Sequence, residues 1–553
     1  MTTVARGDHA DMLRPQTKLH TKITTLVEHL APYKPIAHGD LTQTVSGISM
    51  NSKTIEPGDL YAAVGGAQHH GADYIDEALA AGAVAVLTDP SGLHRIPENI
   101  PRVVVDDVRG ALADAAALIY DNTGVVAPQM YGVTGTNGKT TTTYFLNAIL
   151  DALGHTTGLI GTIETRIAGV SDTSEFTTPE APELHSLIAR MREAEVTAAS
   201  MEVSSHAMAY KRAYGLMYGV VGFTNLTQDH LDLHGDMHEY YQAKAALFAD
   251  EHSTVQVITL NGGAEPHWGG KLAESVSGAV TLDLGPAALT EVSSGSATWR
   301  ITQIEPAGLG HQFTLQHASG LSVTTRVGMP GEFNIANAAL AAVMVYAGHE
   351  RHHWDHITAV LERQTKAPFE SAVPGRMEVI SKTPTVVVDF AHNPDGLTQA
   401  LLAVNRSSHQ QHGTQARTIV IFGATGQRDT AKRPLMGRIA AEHADVVIIT
   451  DDDPHHEDPA QIRQAVLSGA RAAAATQNVE TEILEIAPRT EALVKAVELA
   501  VPTDTILAAG RGHETHQDLA GEAFAIDDRQ VLHQALIDHG FITTGSASPH
   551  SAD

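Results

Sequence analysis

Residues 131–142 read YGVTGTNGKTTT, and this stretch decides the fold of the middle of the chain. An apolar run ends in a glycine-rich turn, and the helix-like sequence TYFLNAILDALG follows. Glycines allow the backbone to curl around phosphates, and the free N–H groups at a helix start favour anions. Lys139 would neutralise β- and γ-phosphate oxygens, and Thr140 would hold Mg²⁺. Val133 departs from the strict GxxxxGK[ST] pattern, but the Lys-Thr pair still favours a nucleotide-binding loop over a turn that binds nothing.

Apolar runs alternate with helix-like segments on both sides of this loop. Before it, LYAAV, AVAVL and VVVDD alternate with YIDEALAAGA and ALADAAALIY, which indicates a small α/β domain. After it comes a second α/β region with a strand-rich insertion at about 254–330. Towards the C-terminus, MEVI, TVVVDF, TIVIFG and DVVIIT are each followed by turn residues and a helix pattern, which predicts a parallel doubly wound sheet.

These patterns predict an α/β protein of three domains. The first covers residues 1–124, with 1–40 partly disordered. The second covers residues 125–368. The third covers residues 369–553, and its Ser/Gly-rich tail at 542–553 is expected to be disordered.

Composition excludes several classes of protein. The net charge of −28 argues against a nucleic-acid-binding surface, which needs a basic stripe. The absence of cysteine excludes disulfides, thiol nucleophiles and Cys-ligated metals. Neither a signal-peptide pattern nor an 18-residue apolar run occurs, so we expect a cytoplasmic protein without membrane insertion. Most of the 32 histidines are interpreted as surface residues, and HETHQ at 513–517 misses the HExxH zinc motif by one position.

A second group of polar motifs follows the glycine-rich loop. It comprises MEVSSHAMAYKR (201–212), FTNLTQDHLDLHG (223–235) and YYQAKAALF (240–248). Glu202 follows an apolar run, so it is expected at a strand end near the glycine-rich loop, where it could share a divalent cation with His230. Lys244 is unexpected there, because an ammonium repels a metal ion. Taken alone, a surface lysine and a capped histidine are the favoured interpretations.

Motifs along most of the chain are similar in order and content to those of the Mur ligase family. Beyond the segments already quoted, they are TTPE (177–180), GEFNIANAALAA (331–342), VPGRMEVI (373–380), VDFAHNPDGL (388–397), FGATGQRDTAKRPLMG (422–437) and GRGHE (510–514). MNSKTIEPGDLYAAVGG (50–66) resembles the family's uridine-binding domain. The resemblance covers about residues 45–540.

The resemblance implies a uridine-binding domain, a central P-loop ATPase domain and a C-terminal Rossmann-like domain. It also implies a monomeric, Mg²⁺-dependent amide ligase of peptidoglycan synthesis. Its substrates would be ATP, UDP-MurNAc-L-Ala-D-Glu and a free diamino acid. The D-Glu carboxylate would attack the γ-phosphate to give an acyl phosphate, and the incoming amine would then displace phosphate. Mg²⁺ and Lys139 would offset the repulsion between the anionic reactants.

The resemblance also assigns residues to roles. The catalytic set would be Lys139, Glu202, His230 and Lys244, and Thr140, Glu202, His230 and Lys244 would hold Mg²⁺, with Lys244 as an N6-carboxylysine whose carbamate replaces the repelling ammonium. ATP would contact Gly135, Thr136, Asn137, Gly138, Lys139, Thr140, Thr141, Asn334, Asn337, Arg376, Asp389 and His392. UDP-MurNAc-dipeptide would contact Ser52, Gln68, His69, Thr177, Thr178, Ser204 and Arg212. The amino acid would contact Arg428, Asp452, Asp453, Pro454, His455, Gly510 and Glu514.

Four positions depart from the family pattern. Asn51-Ser52-Lys53 stands where Asp-Ser-Arg is usual, which affects the uridine contacts of residues 51 and 53. Phe176 stands where Asn is common, and Tyr210 replaces a Gln. None of these changes removes a catalytic group.

The acidic stretch TDDDPHHEDP (450–459) suits a metal site, a solvated loop or a substrate pocket. In the family the matching loop reads the incoming amino acid, and enzymes for meso-diaminopimelate typically carry Asp-Asn-Pro-Arg. Here the residues are Asp452-Asp453-Pro454-His455. A neutral imidazole cannot form arginine's bidentate pair with a carboxylate, and a second Asp would attract a distal ammonium. We therefore expect L-lysine, then L-ornithine, with meso-diaminopimelate as the alternative and a metal site least favoured.

Other functions fit fewer motifs. A folylpolyglutamate-synthetase-like ligase would share the P-loop but lack the GDLYAAVGG domain. A P-loop motor or switch would not need the third domain. A nucleotide-binding module without catalysis would not need Glu202, His230 and Lys244 together.

Overall fold

The computed structural model describes residues 14–66, 69–124, 127–174, 176–260, 267–285, 297–412, 416–477 and 481–543. Within these ranges three sheets follow one another along the chain, and helices pack against each of them. No helix in these ranges combines the length and apolar character that crossing a membrane would require. The predicted tail at 542–553 lies almost entirely outside the described residues, as do residues 1–13.

The N-terminal part is built on a five-stranded sheet. The strands of the N-terminal part, five of which form this sheet, are β1 (Thr21–Lys22), β2 (Ile36–His38), β3 (Thr44–Val45), β4 (Gly47–Ser49), β5 (Asp59–Ala63), β6 (Ala85–Thr88) and β7 (Arg102–Val104). The order is β2-β7-β6-β5-β4, with β2 antiparallel to β7, and β1 pairs separately with β3. The helices are α1 (Ile23–His29), α2 (Ile75–Ala81) and α3 (Val108–Ile119). Ile23 and Leu26 of α1 are fully buried, so this part of the predicted 1–40 segment belongs to the core.

The central part contains an eleven-stranded sheet. Its strands are β8 (Gln129–Thr134), β9 (Thr157–Ile160), β10 (Glu164–Ile167), β11 (Val170–Thr173), β12 (Ala198–Glu202), β13 (Tyr218–Phe223), β14 (Ser253–Thr259), β15 (Val280–Asp283), β16 (Trp299–Ala307), β17 (Gly310–His317) and β18 (Ser322–Val327). The order is β11-β10-β9-β12-β8-β13-β14-β15-β16-β17-β18. Strands β9, β12, β8, β13, β14, β15 and β16 are parallel neighbours, whereas β16, β17 and β18 form an antiparallel meander that confirms the predicted strand-rich insertion.

Helices cover this sheet. They are α4 (Lys139–Ala152), α5 (Ala181–Glu193), α6 (Ser205–Ala209), α7 (Leu231–His234), α8 (Met237–Ala245), α9 (Trp268–Ser275), α10 (Phe333–Ala347) and α11 (Trp354–Leu361). α10 is apolar on nearly all sides because it lies between α4 and strand β13. Gly222 of β13 allows this approach, since a Cβ there would lie 2.3 Å from the sulfur of Met344.

The C-terminal part contains a six-stranded sheet. Its strands are β19 (Glu378–Lys382), β20 (Thr385–Asp389), β21 (Thr418–Phe422), β22 (Val446–Ile449), β23 (Glu482–Glu485) and β24 (Thr505–Ala509). The order is β19-β20-β24-β21-β22-β23. The helices are α12 (Pro394–His412), α13 (Lys432–His443), α14 (Pro459–Gln477), α15 (Arg489–Leu499) and α16 (Asp528–Asp538). A hairpin of β25 (His516–Leu519) and β26 (Glu522–Ala525) stands apart from this sheet.

One strand prediction for this sheet was wrong. MEVI was expected to begin a strand–helix unit, but β19 turns directly into β20 and pairs with it antiparallel. Only two residues, 383 and 384, separate these strands, which leaves no room for a crossover helix. The other pairs in the sheet are parallel, and the predicted α/β class with three domains is confirmed. The domain boundaries stay predictions.

Candidate active site

The glycine-rich loop joins β8 to α4 at the carboxyl edge of the parallel strands. Gly135 has φ +149, and a Cβ there would lie 1.8 Å from Thr224 Oγ1. Gly138 has φ +88, and a Cβ there would lie 2.2 Å from Asn337 Oδ1. The loop is therefore held against its neighbours by contacts that only glycine allows.

Lys139 is folded back over this loop. Its Nζ donates to the carbonyls of Thr136 at 2.9 Å and Gly135 at 3.1 Å. Burial lowers the pKa of Lys139, whereas Glu202 and Asp229 oppose that shift. The ammonium is positioned above backbone oxygens at the start of α4, where phosphate oxygens bind best.

Glu202 stands at the end of β12, as predicted, and is almost fully buried. Its Oε2 accepts from Thr140 Oγ1 at 2.9 Å. Thr162 was not predicted to belong to the site, yet its backbone N–H donates to Glu202 Oε1 at 2.8 Å and its hydroxyl to Oε2 at 3.1 Å. Three donors thus fix a carboxylate beside the first turn of α4.

Lys244 lies beneath the glycine-rich loop and not on the cleft surface. Lys244 is 1% exposed, and its Nζ donates to Gly135 O at 2.8 Å and lies 4.6 Å from the centre of the Tyr240 ring. Burial, and next the nearby charge of Lys139, place the pKa of Lys244 well below its usual value. Both effects shift Lys244 towards the neutral amine.

His230 and His392 flank one buried carboxylate. Their Nε2 atoms each lie 3.8 Å from Asp229 Oδ2. His230 has φ 52, and burial lowers its pKa to about 3. Asp229 also accepts from Asn393 Nδ2 at 3.2 Å. Because His230 comes from the central part and His392 from the C-terminal part, Asp229 links the two walls of the site.

A cleft of about 1110 Å³ separates the central and C-terminal parts. Most of the predicted site residues line it: Thr136, Asn137, Gly138, Lys139, Thr140, Thr141, Thr177, Thr178, Glu202, Ser204, Arg212, His230, Asn334, Asn337, Arg376, Asp389, His392, Arg428, Asp452, Asp453, His455, Gly510 and Glu514. The lining does not include Gly135, Lys244, Pro454, Ser52 or His69. Gln68 lies outside the described residues.

Direct hydrogen bonds cross this cleft. Asn137 Nδ2 donates to Asp395 Oδ2 at 2.8 Å, and Asn393 Nδ2 donates to Asn137 Oδ1 at 3.2 Å. Neither Asn393 nor Asp395 was predicted as a site residue, although both lie in the quoted motif VDFAHNPDGL. The glycine-rich loop is therefore anchored to the C-terminal part at the start of α12.

The C-terminal wall presents Arg376 to the loop. Its Nη2 donates to Thr140 Oγ1 at 3.2 Å, and its guanidinium lies 4.3 Å from the centre of the Phe390 ring. Asp389, at the end of β20, accepts from the N–H groups of Met377 at 2.7 Å and Ala391 at 2.8 Å. Burial raises the pKa of Asp389. A fixed cation thus faces the first turn of α4.

The two predicted asparagines form a buried pair in α10. Asn334 Nδ2 donates to Pro330 O at 2.7 Å, and Asn337 Nδ2 donates to Asn334 Oδ1 at 3.2 Å. A Cβ on Gly138 would lie 2.2 Å from Asn337 Oδ1, so the asparagine pair packs directly against the glycine-rich loop.

Four of the residues predicted to contact UDP-MurNAc-dipeptide line the cleft, and they are Thr177, Thr178, Ser204 and Arg212. Thr178 Oγ1 donates to Glu202 O at 2.9 Å and accepts from the N–H of Ser204 at 3.1 Å. Thr177 Oγ1 lies 3.1 Å from Thr162 Oγ1, whose own proton is donated to Glu202. These bonds connect the site of Glu202 to the TTPE segment.

Arg212 lies beside this segment. Its Nε is 2.8 Å from Glu180 Oε1, and its guanidinium lies 5.2 Å from the centre of the Phe176 ring and 5.8 Å from that of Tyr210. Phe176 and Tyr210, two of the four residues that depart from the family pattern, therefore flank the same cation.

The uridine residues lie in the N-terminal part. Ser52 is buried, and its hydroxyl donates to Glu77 Oε2 at 3.0 Å. The carbonyl of His69 accepts from the N–H of Gly66 at 2.9 Å, and the side chain is exposed. Neither contact tests a role in uridine binding.

The acidic loop after β22 is tied to the GRGHE segment. Asp453 Oδ1 accepts from Arg511 Nη1 at 2.6 Å and from the N–H of Asp518 at 3.0 Å. The Arg511 side chain is fully buried. The negative charge expected from Asp453 is therefore offset by a buried arginine that the sequence interpretation had not used.

Two further groups define this end of the cleft. His455 Nδ1 lies 3.0 Å from Asp518 Oδ2. Glu514 Oε2 lies 3.5 Å from Arg511 Nη1, and burial, together with the charge of Asp452, raises the pKa of Glu514 to about 8. Arg428 and Gly510 line the cleft nearby. Asp452, Asp453 and Glu514 therefore line the cleft together with Arg428 and Lys432.

Within the described ranges, no three carboxylate or imidazole side chains converge as a metal site. The hydroxyl of Thr140 and the carboxylate of Glu202 are nevertheless adjacent hard oxygen donors, the class of ligand that Mg²⁺ prefers. The chemistry of this donor pair fits the predicted cation.

Comparison with known proteins gives the family. Residues 44–120 match the model described as Mur ligase family, catalytic domain. Residues 133–345 match the Mur ligase middle domain, and residues 375–512 match the Mur ligase, glutamate ligase domain.

Individual relatives match over nearly the whole chain. The UDP-N-acetylmuramyl-tripeptide synthetase of Leifsonia xyli subsp. xyli is 40% identical over 97% of this chain and 100% of its own. The UDP-N-acetylmuramoyl-L-alanyl-D-glutamate--2,6-diaminopimelate ligase of Streptomyces coelicolor is 37% identical over 94% of this chain and 98% of its own. A solved structure of a ligase with that name is 28% identical, with a TM-score of 0.62 over 95% of this chain and 100% of its own.

These matches extend across all three sheets and the cleft between them. The chain therefore belongs to the Mur ligase family, whose members are ATP-dependent ligases of peptidoglycan synthesis.

Proposed function

We propose that this enzyme joins a diamino acid to the D-Glu of UDP-MurNAc-L-Ala-D-Glu at the expense of ATP. The observation that carries the proposal is the shared cleft, in which Lys139 and Glu202 of the central part face Arg376 and Glu514 of the C-terminal part. Such a cleft brings a nucleotide, an acid and an amine together, as amide synthesis through an acyl phosphate requires. The names of the relatives also support it.

The chain's own groups divide the work between the two walls. Lys139 and Arg376 would bind and orient the phosphates, because both cations stand at the start of α4. Arg212, with Thr177, Thr178 and Ser204, would hold the dipeptide so that its acidic end reaches the phosphates. The hydrogen bond from Asn137 to Asp395 joins the two walls of the cleft, and this contact would help to keep water from an acyl phosphate.

Thr140 and Glu202, with His230, would hold Mg²⁺ at this end of the cleft. The cation, when bound, supplies charge neutralisation for the phosphates. Thr162 positions the Glu202 carboxylate through two hydrogen bonds, so it would orient this metal ligand without contacting the cation itself.

We also propose that Lys244 is carboxylated. Its lowered pKa makes the neutral amine available, and this amine would add to CO₂ to form a carbamate, with release of one proton. The carbamate would face the ammonium of Lys139, with which the uncarboxylated lysine shares a carbonyl acceptor. Lys244, whose ammonium would repel that of Lys139, would thereby carry a negative charge that attracts it.

The amino acid we favour is L-lysine, before L-ornithine. The charge of Asp453 is not the reason for this preference, because the guanidinium of Arg511 offsets it. His455 and the carboxylate of Asp452 remain, and they suit a distal ammonium better than a carboxylate. The second candidate is meso-diaminopimelate, which the name of the Streptomyces coelicolor relative favours.

The test is phosphate release from ATP with UDP-MurNAc-L-Ala-D-Glu and each amino acid in turn. We expect release only when both are present, with kcat/KM highest for L-lysine. His455→Arg should shift the preference towards meso-diaminopimelate. A highest kcat/KM for meso-diaminopimelate in the unmutated enzyme would overturn the choice of L-lysine but not the reaction. The cytoplasmic location and the monomeric state stay predictions.

A further inference from the structure

The hairpin β25–β26 holds His455 in an unusual conformation. His455 has φ 50, a left-handed conformation that side-chain-bearing residues rarely adopt. Its N–H donates to Asp518 O at 3.3 Å, and its carbonyl accepts from the N–H of Ala520 at 2.7 Å. Since these bonds come from the hairpin and not from the acidic loop itself, the hairpin determines where the imidazole lies.

The side chain of Asp518 adds a third restraint. Its Oδ2 lies 3.0 Å from His455 Nδ1, and its Oδ1 accepts from the N–H of Gly521 at 2.8 Å. A carboxylate only accepts hydrogen bonds, so Nδ1 must carry the proton. In the neutral ring the other nitrogen, Nε2, is then a hydrogen-bond acceptor.

We propose that Asp518 is a positioning residue that makes His455 Nε2 an acceptor for the side-chain ammonium of the incoming amino acid. His455 lines the cleft, whereas Asp518 does not. The cleft is also lined by the carboxylate of Asp452, by Glu514 and by the guanidinium of Arg428. This proposal rests on the proposed function, because it specifies how the diamino acid is recognised.

The hydrogen bonds of Asp518 make Asp518→Asn an informative variant. The amide oxygen can keep the bond to Gly521, and the amide nitrogen then faces Nδ1 as a donor. That arrangement favours the opposite tautomer, in which Nε2 carries a proton and cannot accept from an ammonium. The backbone bonds of the hairpin are retained, so the change addresses the tautomer and not the fold.

The experiment compares L-lysine with L-norleucine, which has a similar shape without the ammonium. We expect Asp518→Asn to lower kcat/KM for L-lysine about 10- to 100-fold, through KM, because a hydrogen bond to a charged group is lost. The kcat/KM for L-norleucine and the KM for ATP should stay within about twofold. Asp538→Asn, an equal change of charge at the end of α16, is the control and should alter neither.

A second comparison separates positioning from direct contact. In a His455→Ala background, Asp518→Asn should have no further effect if Asp518 acts through the imidazole. A further loss for L-lysine there, or equal losses for L-lysine and L-norleucine in the single variant, would overturn the proposal. Absence of turnover with every diamino acid in the unmutated enzyme would instead contradict the proposed function itself.

Discussion

The side-chain nitrogens of Lys139 and Lys244 donate to the same acceptor, the carbonyl oxygen of Gly135, at 3.1 and 2.8 Å. Two ammonium groups so placed repel each other, Lys244 is buried and Lys139 is half-buried, so the fold disfavours the state in which both are charged. The pKa of Lys244 is lowered further by Lys139. Lys244 is therefore the lysine suited to react as a neutral amine.

Replacement of Lys244 tests this chemistry. Lys244→Arg keeps a cation that cannot become a carbamate, so we expect kcat to fall roughly 100-fold or more, the scale on which a charge that stabilises a transition state acts. Intact mass under native conditions should show carboxylation of the unmutated enzyme and its loss in the variant. Bicarbonate should raise the activity of partly decarboxylated enzyme and leave that of the variant unchanged.

Lys271→Arg is the matched control, because Lys271 also lies over aromatic rings but is exposed. It should retain full activity. An unmodified Lys244 in fully active enzyme would contradict carboxylation.

Lys139 should be essential for catalysis but not for folding. Lys139→Met removes the cation at the start of α4, so we expect turnover to fall roughly 100-fold or more. The midpoint of thermal unfolding should not fall, because partial burial disfavours the charged form of Lys139 in the folded protein. Phosphate release and thermal unfolding measured on one preparation check both statements, and retained turnover would contradict the assignment of the nucleotide loop.

Local patterns in the sequence were sufficient for the glycine-rich loop, for Glu202 at the end of β12 and for the helix α4 that follows the loop. Each depends on neighbours along the chain, such as the apolar run before a turn. Contacts between distant segments were not predictable in this way. Arg511 and Asp453 are 58 residues apart, and His455 and Asp518 are 63 apart. Only the fold brings GRGHE and the β25–β26 hairpin to the acidic loop, so the offset charge of Asp453 was missed.

The bond between Asn137 and Asp395 should control closure of the cleft. Asp395→Ala removes the acceptor of Asn137 Nδ2, so we expect the KM for ATP to rise roughly 10-fold, the scale of one hydrogen bond to a charged group. Small-angle scattering should show a larger radius of gyration than in the unmutated enzyme when an ATP analogue and the UDP-substrate are present. Asp538→Ala is the control, and equal scattering curves for Asp395→Ala and the unmutated enzyme would contradict this role.

Glu514 should make stability depend on pH. Its pKa is raised to about 8 by burial and by Asp452, so the folded protein holds a proton that the unfolded chain releases. The stability that Glu514 contributes is fully present at pH values below the ordinary pKa of a glutamate. It is lost as the pH rises through about 8. Relative to Glu514→Gln, the free energy of unfolding of the unmutated enzyme should therefore decrease from about pH 5 to pH 9. Urea unfolding at several pH values measures it, and parallel curves for the two proteins would contradict the raised pKa.

Phe176 and Tyr210 should matter through Arg212. Their rings lie 5.2 and 5.8 Å from its guanidinium, and both side chains are partly exposed beside the cleft, so they restrict the cation without neutralising it. Loss of either ring should raise the KM for UDP-MurNAc-L-Ala-D-Glu about 2- to 5-fold, the range that one cation–π contact of this exposure supports. The KM for ATP should not change in Phe176→Ala or Tyr210→Ala. Tyr210→Phe and Phe176→Tyr keep an aromatic face and should restore the normal KM.

Because Arg212 also pairs with Glu180, Arg212→Ala should have a larger effect than either ring variant. Adding Phe176→Ala to Arg212→Ala should then cause no further rise in KM, since the ring has no cation left to hold. A full additional rise in the double variant would mean that the ring contacts the substrate itself.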